Sequence, residues 1–423
     1  MQAGRHCFQV LPALDTASIY SGNEVLSSTV CVVDYDLVCA AGVGLRSLRD
    51  SLAAQRSGLV PNRFPGCSLP TYVGEVSAAS NYQWPESEVY WTSRNNALVE
   101  LALQQGSLLD SLQRVRQLVP PERIGLVIGS STSSIDQAED AYRTVREQEG
   151  RPHDNLRDRV LNPHAPTIYV AHRTGITGPA VTLSTACSSS AKVFATAARW
   201  LEAGVVDAVL VGGSDSLCLT VLYGFHSLQL VSTDICRPFD RSRDGINIGE
   251  AAGFALLVRS DLPVEHTGIV LSGYGESSDA HHMSHPHPEG AGARRAIEQA
   301  LARAKLAASQ IDYVNLHGTA SRVNDLTEGN LMAQLFPEST FMSSTKGWTG
   351  HTLGAAGIIE ALIAIDTFKT GLLPGTLNLR DADPEIALRL SADNAQGEPT
   401  HVMSNSFGFG GNNASLIFSR GRG

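Results

Sequence analysis

Short apolar runs alternate with amphipathic stretches along most of the chain. Apolar runs that end at glycine or at small polar residues predict buried β-strands. These predicted strands cover residues 30–33, 124–128, 181–184, 207–211, 269–274, 312–316, 340–343 and 401–404. Apolar residues that recur every three or four positions predict helices at 45–55, 92–112, 188–203, 293–306 and 352–367. The alternation of strands and helices predicts an α/β fold.

The order of elements in the second half of the chain repeats that of the first. Three pairs of segments correspond: 125–132 with 313–320, 181–187 with 341–346, and 209–214 with 402–408. We therefore predict two duplicated halves, 27–262 and 263–423, in which turns at equivalent strand ends face each other. Residues 1–26 show no such period and are predicted to form an N-terminal extension.

One cysteine has surroundings suited to nucleophilic chemistry. Cys187 follows a predicted strand and precedes a predicted helix that is rich in small residues. A thiol at a helix N-terminus feels the positive end of the helix dipole, which favours the thiolate, and small neighbours leave room for a substrate. A buried and inert thiol is the alternative interpretation.

Two histidines lie in glycine- and threonine-rich turns at equivalent strand ends. His317 ends one predicted strand, and Asp325 and Glu328 follow it in positions to cap or bridge the turn. His351 lies just before the last long helix. A core histidine with satisfied ring nitrogens is the alternative for each one separately. Their matched placement in the two halves predicts a shared site instead.

Two further segments carry possible chemistry. The glycine-rich turn at 405–413 could offer backbone N–H groups to an oxyanion, or cradle a phosphate, although no basic residue follows it. Residues 281–287 contain four histidines, which raises the question of a metal site. Their loop context does not fix a ligand geometry, so no metal site is predicted there.

Composition and charge exclude several classes of protein. Charged residues make up 17% of the chain, and the net charge of −10 comes with no basic run, so a nucleic-acid binder is not expected. No apolar stretch approaches the roughly 20 residues of a membrane-spanning helix. The seven cysteines are irregularly spaced and form no CxxC pair, which argues against a disulfide framework or structural zinc site. A cytoplasmic location is predicted.

Taken together, these segments resemble the β-ketoacyl-acyl carrier protein synthases, the condensing enzymes of the thiolase superfamily. The resemblance extends from about residue 29 to residue 418 and rests on motifs in family order. These are the nucleophile motif at 185–190, the first histidine motif at 317–328, the second at 346–360 and the gating loop at 407–411. It implies a thiolase-like layered αβαβα fold made of two duplicated halves. Details of the histidine loop are most similar to aryl-polyene-type ketosynthases.

The resemblance implies a decarboxylative Claisen condensation. Cys187 would accept an acyl chain from an acyl carrier protein, and malonyl carrier protein would then bind. His317 and His351 would hydrogen-bond the malonyl thioester carbonyl and favour loss of carbon dioxide. The resulting enolate would attack the acyl-cysteine, whose oxyanion would be held by the N–H groups of Cys187 and Phe409. The product would be 3-oxoacyl carrier protein, and neither a metal nor an organic cofactor is needed.

Other residues are expected to support this site. Lys346 and Glu360 would hold the histidines and tune their charge, with Asp325 and Glu328 as further support. The phosphopantetheine arm of the carrier protein would contact four residues: Thr319, Ser321, Phe407 and Phe409. Thr132 is expected to lie across the acyl tunnel, where its size and hydroxyl group favour a medium-length, unsaturated or aryl chain.

The resemblance also implies protein partners. Family members are dimers, so a homodimer or a heterodimer with a related ketosynthase or chain-length factor is expected, with 163–175 in the interface. The candidates for docking an acidic carrier protein are Arg143, Arg146 and Arg151. The alternative is that these arginines only form an ordinary solvent-exposed surface.

Departures from the family pattern leave its catalytic groups in place. The family's Gly-Thr-Gly-Thr after the first histidine is Gly-Thr-Ala-Ser in this chain, at 318–321, and the gating loop ends in Asn-Asn. A non-catalytic chain-length factor is the main rival, but such subunits usually lose the cysteine. A Cys-His hydrolase would need no duplicated half. A biosynthetic thiolase carries a second cysteine near its C-terminus, whereas the last cysteine of this chain is Cys236.

Overall fold

The computed structural model describes residues 29–148 and 160–421. Side chains of residues 144–148 are not part of this description. The predicted extension at 1–26, the side chain of Arg146 and the whole of Arg151 therefore lie outside the described residues.

Sixteen strands and twelve α-helices make up the described part of the chain. The strands are β1 Val30–Cys39, β2 Gly42–Val43, β3 Val60–Pro61, β4 Tyr72–Gly74, β5 Ile124–Gly129, β6 Ala180–Leu183, β7 Ala208–Asp215, β8 Ile248–Gly249, β9 Ala251–Arg259, β10 Ile269–Ser278, β11 Tyr313–Asn315, β12 Phe341–Ser343, β13 Leu372–Leu373, β14 Ala395–Gln396, β15 His401–Gly408 and β16 Asn412–Arg420. The helices are α1 Leu45–Ala53, α2 Ser77–Ser80, α3 Arg94–Leu103, α4 Leu108–Arg116, α5 Ile135–Gln148, α6 Ala165–Thr174, α7 Ser189–Glu202, α8 Leu219–Ser227, α9 Ala291–Ala304, α10 Arg322–Leu335, α11 Lys346–Thr349 and α12 Ala356–Thr370.

The main sheet has eleven strands: two five-stranded halves with the same topology, and the short strand β2, which pairs with β1. The first half has the order β6-β5-β7-β9-β1, and the second has the order β12-β11-β15-β16-β10. In each half three neighbouring strands are parallel and the remaining pairs are antiparallel. The halves join where β1 pairs with β10. The predicted correspondence of β5 with β11, β6 with β12 and β7 with β15 is therefore confirmed.

The layered αβαβα arrangement follows from which helices are buried. Helices α7 and α12 contact each other and strands of both halves, so they form the middle layer. Helix α12 is apolar on nearly every side and thirteen of its fifteen residues are buried, as expected for a helix between two sheets. Helices α3 and α6 cover the outer face of the first half, and α9 covers the second. The thiolase-like α/β fold expected from the sequence is confirmed.

One predicted helix is wrong. The apolar period at 92–112 predicts a single helix, but the chain forms α3 and α4 with a break between them. Gly106 adopts a φ of 54° in this break, and a Cβ there would lie 2.5 Å from a carboxylate oxygen of buried Asp36. The packing of the break against β1 overrides the helical pattern. No helix among the described residues is long and apolar enough to cross a membrane.

Candidate active site

Cys187 lies in the turn between β6 and α7. Ala186 has a left-handed backbone conformation with a φ of 53°, which turns the chain sharply before the nucleophile. Gly408, at the end of β15, packs against this turn. A Cβ on Gly408 would lie 3.0 Å from the carbonyl oxygen of Thr185 and 3.1 Å from the nitrogen of Cys187. Glycine therefore allows the chain at Phe409 to approach the thiol closely.

His351 lies directly beside the thiol. Its Nε2 atom is 3.0 Å from Sγ of Cys187. The backbone N–H of Leu353 donates to the other ring nitrogen, Nδ1, at 3.3 Å. Because Nδ1 accepts this bond, we assign the ring proton of neutral His351 to Nε2. The Nε2–H group can then donate to the sulfur or to an oxygen bound near it.

His317 presents a second ring to the same space. The ammonium of Lys346 lies 3.5 Å from Nδ1 of His317 and donates to the carbonyl oxygen of His317. An ammonium is only a donor, so Nδ1 faces it as an acceptor and the ring proton is assigned to Nε2. The rings of His317 and His351 are nearly perpendicular, at 86°, with centroids 5.5 Å apart. Two such donors suit an oxygen that gains negative charge during a reaction.

Three buried carboxylates hold the histidine turns from behind. Glu328 accepts the N–H groups of His317 at 2.8 Å and Gly318 at 2.7 Å. Glu360 forms a buried ion pair with Lys346. Burial raises the pKa of Glu328 to about 7, although the N–H groups of His317 and Gly318 oppose the rise. Burial also raises the pKa of Glu360 to about 7, and the Lys346 charge opposes this rise.

Asp325 fastens the end of the first histidine turn. It accepts the backbone N–H groups of Phe239 at 2.7 Å and Ala320 at 3.2 Å, and it lies 3.8 Å from the guanidinium of Arg243. Burial nevertheless raises the pKa of Asp325 above its usual range. Asp325 therefore fixes the turn that presents Thr319 to the cavity without contacting the thiol.

Burial sets the protonation of the three central groups. It lowers the pKa of His317 and of His351 well below 6.5, with the Lys346 charge as a further cause, so both rings are neutral at pH 7. Burial also raises the pKa of Cys187 to about 11, against the opposing effects of Lys346 and of the Phe409 N–H. This shift is opposite in direction to the thiolate stabilisation expected from the helix dipole, because loss of hydration outweighs the dipole.

A cavity of about 410 Å³ leads to these groups. Its walls include Cys187, His317, His351, Thr319, Ser321, Phe407 and Phe409, all named from the sequence. The hydroxyls of Thr319 and Ser321 hydrogen-bond each other at 2.9 Å. Sequence reasoning did not name four further wall residues as site residues: Phe225, Leu228, Asp244 and Arg322. Of these, only Asp244 falls in a segment that resembles the family, at 243–245.

Thr132 is not among the residues that line this cavity. Its hydroxyl donates to the carboxylate of buried Asp215 at 2.7 Å, and its backbone N–H donates to the same carboxylate at 2.8 Å. Ser130 and Ser131 donate to Asp215 as well. Sequence reasoning missed Asp215, although a carboxylate at the end of a buried strand was a usable signal. The position of Thr132 along an acyl chain stays a prediction.

The donor atoms of Cys187, His317 and His351 lie within 4.8 Å of one another, and among the described residues they form the only such group of three or more. A metal could reach these atoms. The assigned tautomers place protons on both Nε2 atoms, however, which suits hydrogen bonding rather than ligation. In the histidine-rich loop at 281–287, two side chains lie within hydrogen-bonding distance of each other, with 3.1 Å between Nδ1 of His282 and Nδ1 of His285.

The surfaces expected to bind partners are only partly described. Arg143 is exposed and pairs with Asp140 at 3.2 Å. The segment 163–175 contains α6, which packs on α3 and β5. Both assignments stay predictions.

The fold and the site together define a condensing enzyme of the thiolase-like class. The chain matches the β-ketoacyl synthase N-terminal domain over residues 99–262 and the β-ketoacyl synthase C-terminal domain over residues 269–380. It therefore belongs to the β-ketoacyl synthase family, and it is a ketosynthase of the acyltransferase class.

Curated relatives agree with this family. The 3-oxoacyl-[acyl-carrier-protein] synthase 2 of Rhizobium meliloti (strain 1021) is 35% identical over 313 residues, which are 70% of this chain and 74% of the relative. The mitochondrial 3-oxoacyl-[acyl-carrier-protein] synthase of Arabidopsis thaliana is 35% identical over 317 residues, which are 70% of this chain and 68% of the relative.

Solved structures agree as well. A ketosynthase (ApeO) in complex with its chain length factor (ApeC) from Xenorhabdus doucetiae has a TM-score of 0.83 and 36% identity, and the match covers 93% of this chain and 98% of the other. A β-ketoacyl synthase from Burkholderia phymatum STM815 has a TM-score of 0.82 and 29% identity, with 93% and 100% covered.

Proposed function

We propose that this protein condenses an acyl group held on Cys187 with malonyl-acyl carrier protein, giving 3-oxoacyl-acyl carrier protein. The observation that carries the proposal is the contact of 3.0 Å between Nε2 of His351 and Sγ of Cys187, with His317 perpendicular to His351 in the same cavity. A nucleophile and two neutral donors are what such a reaction needs.

In the first half-reaction the thiol attacks the thioester of an acyl carrier protein. The Cys187 proton leaves to solvent as the sulfur–carbon bond forms, while the Nε2–H group of His351 donates to the sulfur. The carrier sulfur takes up a proton from solvent and departs as the thiol. The backbone N–H groups of Cys187 and Phe409 stabilise the tetrahedral oxyanion, since the Phe409 N–H already reaches the thiol. Each such donor contributes on the order of 3–4 kcal/mol to transition-state stabilisation.

In the second half-reaction the malonyl thioester carbonyl accepts hydrogen bonds from His317 and His351. The carbon–carbon bond to the carboxylate breaks, carbon dioxide leaves, and the electron pair forms an enolate that the two Nε2–H groups stabilise. The enolate carbon then attacks the acyl-cysteine, and the sulfur leaves. Lys346 and Glu360 keep the histidines neutral and oriented, and Glu328 and Asp325 hold their turn.

The carrier's phosphopantetheine arm is proposed to run along Thr319, Ser321, Phe407 and Phe409 to the thiol. Thr132 is proposed to limit the acyl chain through the loop that Asp215 holds. The similarity to ApeO supports an aryl-polyene-type pathway and a dimer with a related subunit, because ApeO is found with a chain length factor. The free cysteines of the described chain are compatible with the proposed cytoplasmic location.

A non-catalytic chain-length-factor role is the second candidate. The complete set of Cys187, both histidines and Lys346 argues against it. The test is to incubate the protein with acyl carrier proteins loaded with aryl or fatty acyl chains and to measure acyl mass on the Cys187 peptide. Addition of malonyl carrier protein should then release 3-oxoacyl carrier protein. Cys187→Ala is the control, and failure of the wild type to acylate would favour the non-catalytic role.

A further inference from the structure

The cavity above Cys187 has one strongly basic residue in its wall. Among its described lining residues, Arg322 is the only lysine or arginine. Arg322 directly follows Ser321, and both Thr319 and Ser321 line the same wall. The wall therefore runs from the thiol past two hydroxyl groups to an exposed guanidinium.

The backbone of Arg322 is anchored, whereas its side chain forms no ion pair with the described residues. Its carbonyl oxygen accepts from the guanidinium of buried Arg243 at 3.1 Å, and Arg243 itself pairs with Asp383 at 2.5 Å. Arg241, which is close to Arg243 in sequence, forms an ion pair with Asp381, with a guanidinium nitrogen 3.7 Å from a carboxylate oxygen. The guanidinium of Arg322 has no ion-pair partner within 4.0 Å in the part of the chain that the structure describes. It is thus held at the cavity rim and available for an anion.

The substrate of the proposed function brings one anion to this rim. The phosphopantetheine arm of a carrier-bound substrate carries the thioester with its reacting carbonyl at one end. At the other end, the arm joins the carrier protein through a negatively charged phosphodiester. When the carbonyl reaches Cys187 inside the cavity, the phosphate is left toward the opening. A guanidinium binds phosphate oxygens with two parallel N–H donors, which fixes orientation as well as charge.

We propose that Arg322 binds the phosphate of the phosphopantetheine arm and so positions the thioester at Cys187. This inference rests on the proposed function. Asp244 is exposed in the same cavity wall and opposes the binding of an anion. Asp279 also lines the cavity, but its carboxylate accepts from Asn413 at 2.8 Å and from the N–H of His287 at 2.9 Å. Arg322 and Asp244 are therefore two exposed residues of the cavity wall whose opposite charges should have opposite effects on the binding of an anion.

The test uses three thioesters of one acyl chain: phosphopantetheine, pantetheine without phosphate, and N-acetylcysteamine. Acylation of Cys187 in the full-length protein is followed by mass against thioester concentration. Arg322→Gln should raise the half-saturating concentration of the phosphopantetheine thioester about tenfold, the size of one charge-assisted hydrogen bond. It should leave the other two thioesters unchanged. Arg322→Lys should restore part of the loss, and Asp244→Asn should lower the half-saturating concentration.

Arg389→Gln is the matched control, because Arg389 is exposed and does not line the cavity. An equal loss with all three thioesters would assign Arg322 a purely structural role and overturn the inference. An unchanged phosphopantetheine curve in Arg322→Gln would overturn it as well. If wild-type Cys187 accepts no acyl group from any thioester or carrier, the proposed function fails, and this result differs from both of the others.

Discussion

Nε2 of His351 lies 3.0 Å from Sγ of Cys187, although 164 positions separate the two residues along the chain. The contact joins the two duplicated halves, because Cys187 precedes α7 and His351 precedes α12, and these helices pack together in the middle layer. Under the proposed function, neither half would carry the reaction alone. The chemistry depends on the packing of one half against the other.

The reactivity of the thiol is expected to follow its raised pKa. With a pKa of about 11 for Cys187, the thiolate fraction should increase with pH throughout the range from pH 7 to pH 10. Alkylation of Cys187 by iodoacetamide, followed by peptide mass, should therefore accelerate across this range without a plateau. A plateau below pH 8 would mean that the helix dipole and His351 outweigh burial.

The two histidines are expected to serve decarboxylation rather than loading. His317→Ala and His351→Ala should each slow loss of carbon dioxide from malonyl carrier protein at least a hundredfold, because each removes a donor to the enolate oxygen. Acylation of Cys187 should persist, and its measurement in the same sample is the control. Decarboxylation at the wild-type rate in both variants would show that neither histidine stabilises the enolate.

The buried Lys346–Glu360 pair is expected to matter for stability as well as activity. Glu360→Gln leaves the Lys346 charge buried without its partner and should lower the free energy of unfolding by about 3–5 kcal/mol. The double variant Lys346→Met with Glu360→Gln should lose less than Glu360→Gln alone, since no charge stays uncompensated. Urea unfolding of the two variants checks this order, and the reverse order would refute it.

Gly408 is expected to be required for the oxyanion contact. In Gly408→Ala the new Cβ would lie 3.0 Å from the carbonyl of Thr185, so the segment that carries Phe409 must move away from Cys187. Acyl transfer should fall at least tenfold, because a displaced backbone donor gives up part of the roughly hundredfold or larger effect of a complete donor. Gly224→Ala is the matched control, because a Cβ at Gly224 meets nothing within 4 Å. Equal activity of the two variants would show that Phe409 has no such role.

Thr132 is expected to affect chain-length preference. Thr132→Gly removes a side chain that is held by Asp215 and should let longer acyl chains reach Cys187, whereas the wild type should prefer medium-length, unsaturated or aryl chains. Thr132→Val keeps the size and removes the hydroxyl, so its preference should stay near that of the wild type. A series of acyl carrier proteins measures this. A wild-type preference for long saturated chains, unchanged in Thr132→Gly, would make Thr132 an ordinary loop residue.

The sequence by itself determined most of the elements, the duplication and the identity of the central groups. Strong local patterns carried this information: the apolar runs that form β5 and β7, the small-residue start of α7, and the turns around His317 and His351. The helix expected at 92–112 was the exception, since the break at Gly106 depends on Asp36, a partner far away in sequence.

Only the tertiary structure decided the electrostatics and the reach of the site. The raised pKa of Cys187 follows from burial, and the proton on His351 follows from the N–H of Leu353, neither of which a motif records. Arg322 became a candidate because the fold places its exposed guanidinium at the cavity that holds the thiol. Desolvation and long-range contacts arise only when distant segments pack, so the sequence names the candidate reacting groups and the packing sets their charge.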